Sequence, residues 1–279
     1  MKKENKIVLI TGASSGIGKA CAHYLSRKGH TVYGTSRNAP AEGIAQSNGR
    51  NGPFIMLKMD VWDTDSVKDA IRSIYEKEGR LDVVVNNAGI SIQGAVEDMS
   101  VDEFKQEFET NLFGPIRICQ AALPIMREQR SGYIVNVSSL AGQIGIPFDS
   151  GYSASKFALE GLTETLRMEV KPFGINVVLI EPGDTSTGMS SHSLKAANAL
   201  KNPTYQERFE RADFATQMNE KNGSSPETIA VLLGNIISNP SPRLRYVGGS
   251  AFDKVILILK KFIPSRLFEY LVMKTYNIT

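Results

Sequence analysis

Short apolar runs recur at residues 6–11 (KIVLIT), 30–36 (HTVYGTS), 54–61 (FIMLKMDV), 81–89 (LDVVVNNAG), 132–139 (GYIVNVSS) and 175–183 (INVVLIEPG), with helix-length segments of mixed polarity between them. Runs that are apolar throughout, rather than at every second residue, suit strands covered on both faces, and strands that alternate with helices pair in parallel. The chain is therefore expected to adopt an α/β fold of Rossmann type. It would be a doubly wound, mostly seven-stranded parallel sheet with helices on both faces, its seventh strand near 243–247. The 279 residues contain no Pro/Gly/Ser linker or low-complexity break, so one domain spanning 1–279 is expected.

The first run leads directly into TGASSGIGK. Glycines at 12, 16 and 18, between a strand and a helix, permit a tight turn and let a pyrophosphate approach the unpaired N–H groups of the helix. The spacing G-x-x-x-G-x-G departs from the commoner G-x-G-x-x-G fingerprint. The same loop satisfies G-x-S-x-G, the nucleophile elbow of a hydrolase. That reading lacks strands before the serine and a suitable histidine, since His23, His30 and His192 assemble no triad. A triphosphate-binding loop fails because Gly18-Lys19 is followed by Ala20, which offers no hydroxyl to magnesium.

Tyr152 and Lys156 stand four residues apart, hence on one helix face, and Ser139 lies thirteen residues upstream. A lysine close to a phenol favours the phenolate and would bring tyrosine into proton exchange near neutral pH. A Y-x-x-x-K pair alone is usually structural; here it shares a chain with a dinucleotide-type turn.

TGASSGIG at 11–18, NNAG at 86–89, Asn111, NVSS at 136–139, YSASK at 152–156 and EPG at 181–183 together resemble the short-chain dehydrogenase/reductase family, in family order from residue 6 to about 190. The resemblance implies a nicotinamide-dependent oxidoreductase with Asn111, Ser139, Tyr152 and Lys156 as its catalytic set. Ser139 would bind the substrate carbonyl oxygen and Tyr152 would protonate it. Lys156 would hold the cofactor ribose and depress the tyrosine pKa, and Asn111 would serve a water relay. Cofactor contacts carried over the same way are Gly12, Ser14, Ser15, Gly16, Ile17 and Gly18 in the turn, with Ser36 and Arg37 after the second strand. Asp60 and Val61 would meet adenine. Asn87, Ala88 and Gly89 would shape the cofactor wall, followed by Tyr152, Lys156, Pro182, Gly183 and Thr185, while Thr187 would meet the carboxamide.

The second strand ends Thr35-Ser36-Arg37, with no carboxylate for a ribose hydroxyl and with a guanidinium suited to a 2′-phosphate, so NADP(H) is expected over NAD(H). With 32 basic and 29 acidic residues and a net charge of +3, nucleic-acid binding is not indicated. No metal site is expected. Cys21 and Cys119 fall in expected helices as buried thiols, consistent with a reducing cytoplasm. The basic start MKKENK precedes an apolar stretch too short for a secretion signal.

The substrate pocket is expected from 91–94, 140–148 and 184 onward, with Ile144, Ile146, Pro147, Phe148 and Met189 giving it an apolar bias. Residues 184–225 read as a substrate lid or a solvated helical pair. Residues 251–279 form an apolar C-terminal helical extension, too short and too interrupted by charge to span a membrane. It is expected to be a pocket wall, a subunit interface of a homodimer or homotetramer, or a peripheral membrane contact. Length and tail resemble the retinol and 17β-hydroxysteroid dehydrogenase-like branch, which implies a lipophilic, steroid- or retinoid-like carbonyl or alcohol as the small-molecule substrate. The alternatives are a 3-oxoacyl-thioester or sugar reductase and, from another class, a non-catalytic NADP-sensing regulator.

Overall fold

A computed structural model describes residues 5–39, 44–46, 52–188 and 193–279. Strand β1 (Ile7–Ile10) is fully enclosed, with Val8, Leu9 and Ile10 at 0% exposure. Its side chains alternate between two cores. Ile7 and Leu9 join one, with Ile118, Ala122 and Leu166; Val8 and Ile10 join the other, with Cys21, Leu25 and Leu233. Both faces being covered is why these strands are apolar at every position.

Beside β1 lie β2 (Thr31–Ser36) on one side and β5 (Val83–Asn86) on the other, with β4 (Phe54–Lys58) beyond β2. The sheet continues past β5 through β7 (Gly132–Val137) and β8 (Ile175–Pro182) to β10 (Arg245–Gly248). All seven pair in parallel. An eighth strand not expected from sequence, β3 (Ile44–Gln46), pairs antiparallel with β4 at the edge. A separate two-stranded parallel sheet joins β6 (Ile92–Gln93) to β9 (Leu194–Lys195).

Helix α1 (Gly16–Arg27) covers one face of the main sheet with α7 (Pro226–Ile237); α2 (Thr64–Glu78), α4 (Gly114–Gln129) and α5 (Ser150–Val170) cover the other. Between α3 (Val101–Phe108) and α4 the chain makes a π-helical turn, Glu109–Phe113. Helix α6 (Pro203–Lys221) follows β9, and the chain ends in α8 (Ala251–Phe262) and α9 (Ser265–Thr275). Leu257, Phe268 and Val272 of these last helices pack on Ile144 in a small core of their own.

The strand order reverses at β1, which has β2 on one side and β5 on the other. A crevice opens at the carboxyl ends of strands at such a point. Thr11 ties it together: its hydroxyl accepts from the Asn87 and Ala88 N–H groups at 3.0 and 2.9 Å, while Asn87 Nδ2 donates to the Thr11 carbonyl at 2.8 Å.

Candidate active site

A cleft of about 580 Å³ lies over the carboxyl ends of β1, β2, β5, β7 and β8. Of the residues expected from sequence, Gly12, Ser14, Ser15, Gly16, Ile17, Ser36, Arg37, Val61, Asn87, Ala88, Gly89, Ser139, Tyr152, Lys156, Pro182, Gly183, Thr185 and Thr187 line it.

Gly18, Asp60 and Asn111 do not reach the cleft; each braces a neighbour. A Cβ on Gly18 would come within 2.5 Å of both the Gly12 carbonyl oxygen and Asn87 Nδ2, so this glycine permits close packing of helix against turn. Asp60 folds its own loop, accepting from the Trp62 N–H at 3.0 Å. Asn111 spends its amide on Ile90 and Ser155. Its Nδ2 donates to the Ile90 carbonyl at 2.9 Å and to Ser155 Oγ at 3.0 Å, and its Oδ1 accepts from the Ile90 N–H at 2.9 Å. The wide turn at Glu109–Phe113 holds Asn111 inward at 1% exposure, in keeping with the placement of such turns near functional sites.

Gly12 and Gly16 have φ of +65° and +53°, a left-handed conformation that glycine adopts without a Cβ penalty. A Cβ on Gly12 would sit 3.0 Å from Ala88 Cα. At the start of α1, Ser15 makes no side-chain capping bond and the first turn holds no acidic residue. The first turn thus carries neither a capping bond from Ser15 nor an acid of its own, the arrangement a diphosphate requires. At the rim beyond β2, Arg37 is exposed.

At the other end Lys156, only 3% exposed, donates to the Val137 carbonyl at 2.9 Å, and its Nζ stands 5.5 Å from the centroid of the Tyr152 ring. Ser139 caps a short helical turn, its Oγ accepting from the Ala141 N–H at 3.1 Å. Burial pushes the lysine down to about 8, against the opposing influence of Glu160. The expected depression of the tyrosine is not found. Burial drives the phenol upward and the Asp149 charge adds to it; the Ser139 hydroxyl opposes, and Glu107 reinforces the rise. Lysine faces the ring and the Val137 carbonyl, and burial, reinforced by the two carboxyls near the phenol, favours the protonated form.

Those carboxyls had been invisible in the sequence. Asp149 occupies the N-cap position of α5 without capping it; its Oδ1 instead accepts from Ser91 Oγ at 2.8 Å. Burial raises it to about 7, with the Ser91 bond opposing. Glu107, at 0% exposure, accepts from the Ile92 N–H at 2.8 Å and is raised by burial to about 8. Asp184 is raised to about 6 by burial and by Asp253 and Glu220.

The apolar end of the cleft is lined by Ile144 and Ile146, with Ile256, Val272 and Tyr276 from the tail. Pro147 and Phe148 turn away, Phe148 to an edge-on contact with Phe209 at 5.7 Å; Met189 and His192 lie outside the described residues. From α6, Glu220 accepts from Thr187 Oγ1 at 2.7 Å. That bond uses the Thr187 proton and not the accepting lone pairs that a carboxamide N–H would meet.

The family model described as short chain dehydrogenase matches residues 6–198. The chain belongs to the short-chain dehydrogenase family. This dehydrogenase is 39% identical over 273 residues, 98% of each chain, to the 3-ketodihydrosphingosine reductase of Bacteroides thetaiotaomicron. It is 36% identical over 250 residues, 88% of this chain and 89% of the other, to Oxidoreductase BOA17 of Botryotinia fuckeliana. The crystal structure of a short-chain dehydrogenase from Streptomyces avermitilis superposes with a TM-score of 0.80 at 31% identity, covering 99% of this chain and 98% of that one. The dehydrogenase is thus an oxidoreductase whose fold takes a nicotinamide cofactor, and the left-handed glycines and uncapped α1 fit one. Among the described residues no cluster suits a metal ion and no helix is long and apolar enough to cross a membrane.

Proposed function

We propose that this enzyme is an NADP(H)-dependent reductase of a lipophilic ketone, with Tyr152 as the proton donor. The observation that carries the reading is that one cleft runs from Arg37 and the glycine turn to Ser139, Tyr152 and Lys156 and on to an apolar wall of Ile144, Ile146, Ile256 and Val272. The chemistry required of the cofactor is hydride transfer to the carbonyl carbon. Ser139 orients the carbonyl oxygen by hydrogen bonding. Tyr152 gives that oxygen its proton, and its raised pKa keeps the proton in place at neutral pH, which suits an acid rather than a base. Lys156 supplies a positive charge behind the phenol and a donor toward the ribose hydroxyls. Asn111 acts indirectly, fixing the Ile90 backbone beside Gly89; a Cβ on Gly89 would lie 3.2 Å from Asn111 Oδ1 and 3.8 Å from Lys156 Nζ.

Arg37 at the end of β2, with no acid beside it, supports the 2′-phosphate cofactor. The likeness to a 3-ketodihydrosphingosine reductase over 98% of both chains makes that lipid ketone the first candidate, ahead of steroids and retinoids. Exposed Phe157 and Met168 on α5 support self-association as a homodimer or homotetramer. Two buried free thiols support a cytoplasmic setting. The intact Ser139, Tyr152 and Lys156 set argues against a non-catalytic regulator. The test is cofactor oxidation across 3-ketodihydrosphingosine, a steroid ketone, retinal, a 3-oxoacyl thioester and a keto sugar, with NADPH and NADH in parallel. Turnover confined to the lipid ketones with NADPH is expected; turnover confined to the thioester or sugar would replace the reading.

A further inference from the structure

The two C-terminal helices are apolar on two sides. Inward, Leu257, Phe268 and Val272 are buried against Ile144. Outward, α8 exposes Val255 (47%), Ile258 (57%), Leu259 (39%) and Phe262 (80%), spaced i, i+3, i+4 and i+7, which is a single helix face. The following helix repeats the pattern with exposed Leu267, Tyr270 and Leu271. Large side chains scattered singly on a surface need no explanation, but a stripe continued over two consecutive helices does.

Charge says what covers it. Residues 251–279 hold five basic side chains, Lys254, Lys260, Lys261, Arg266 and Lys274, against Asp253 and Glu269. This excess of three equals the formal charge of the entire chain, +3, so the rest of the molecule is balanced. Asp253 is buried and caps α8, which leaves Glu269 as the tail's exposed acid. Lys260 reaches back to the Gln143 carbonyl, its Nζ 5.5 Å from the centroid of the Phe157 ring; the other four cations are exposed. An apolar stripe edged by cations matches the interface of an anionic bilayer, where side chains of this kind enter the headgroup boundary while lysines meet lipid charge.

We infer that the outward face of α8 and α9 docks on an anionic lipid surface. Because the same helices contribute Ile256 and Val272 to the cleft wall, docking sets the apolar end of the active site against the bilayer. Loading of a membrane-dissolved ketone through that wall rests on the lipophilic-substrate reading; the docking does not.

The full chain is floated with phosphatidylcholine vesicles, with and without phosphatidylglycerol, at low and high salt. The comparison protein is the double variant Ile258→Ser/Phe262→Ser, both positions being exposed and outside the cleft lining. Its thermal melt and its turnover of a water-soluble ketone are expected to match the parent. The parent should partition onto anionic vesicles at least about tenfold better than onto neutral ones, and salt should weaken it. The double variant should lose about tenfold or more. The inference is overturned if the parent ignores anionic vesicles, if the double variant binds as well as the parent, or if the parent is a dimer that the double variant splits, since the face would then belong to a second copy. Vesicle binding without turnover of any lipid ketone would keep the docking and refute the substrate reading. Turnover of the micellar lipid without vesicle binding would do the reverse.

Discussion

Lys156 Nζ stands 5.5 Å from the centre of the Tyr152 ring and donates to the Val137 carbonyl at 2.9 Å. Its charge is held by the end of β7 and presented to the face of the phenol ring. Burial lowers this lysine to about 8 while the phenol is raised. In the free enzyme the lysine therefore titrates just above neutrality, in the same range as Glu107.

The pH dependence of reduction follows. The positive charge is present below about 8 and is lost as pH rises through it, while Tyr152 stays protonated and able to donate. The kcat/KM profile for carbonyl reduction should be level around neutrality and fall above about pH 8. A rate that climbs steadily between neutrality and pH 10 would mean that the ionised tyrosine limits catalysis.

Cofactor choice is tested at the rim. Arg37→Ala removes a charge-assisted bond to a 2′-phosphate, worth about 1.5–3 kcal/mol or roughly 10–100-fold. That loss should appear in kcat/KM for NADPH and leave NADH nearly untouched. Equal losses for both cofactors would remove the phosphate assignment.

Glu107 gives a stability prediction whose sign follows from its burial. Its folded pKa is raised by burial to about 8 from an ordinary 4.5. Between these values the folded chain holds a proton that the unfolded chain has released, so this group's contribution to stability declines as pH rises through that window. Glu107→Gln cannot ionise and keeps an acceptor for the Ile92 N–H. The variant should melt close to the parent near pH 5 and increasingly above it toward pH 8, by on the order of 1–3 kcal/mol. A difference independent of pH would show that Glu107 does not titrate in this window.

What the sequence announced and what it concealed divide along physical lines. The glycine turn and the Tyr152/Lys156 pair are local: each depends on spacing within a turn or two, and apolar runs mark fully covered strands whatever surrounds them. The strand Ile44–Gln46 has only three residues and gains its place from pairing with β4, a tertiary fact. The π turn around Asn111 is likewise imposed by packing, since nothing in FETNLFG distinguishes it from an ordinary helix. Glu107 and Asp149 belong to no motif; the contacts with Ile92 and Ser91 that hold them are made by the fold, fifteen and fifty-eight residues away along the chain. Burial of Tyr152, with Asp149 and Glu107 adding to it, reversed the expected direction of its pKa. The tail had three readings from sequence, a pocket wall, a subunit interface or a peripheral membrane contact; Ile256 and Val272 lie in the cleft lining.

The most direct test of the account is the replacement Tyr152→Phe, assayed with NADPH and 3-ketodihydrosphingosine beside a titration of NADPH binding. Loss of the proton donor should cut kcat by about 10²–10⁴-fold, with cofactor affinity and melting temperature close to those of the parent. Turnover retained at the parent's rate would contradict Tyr152 as the acid.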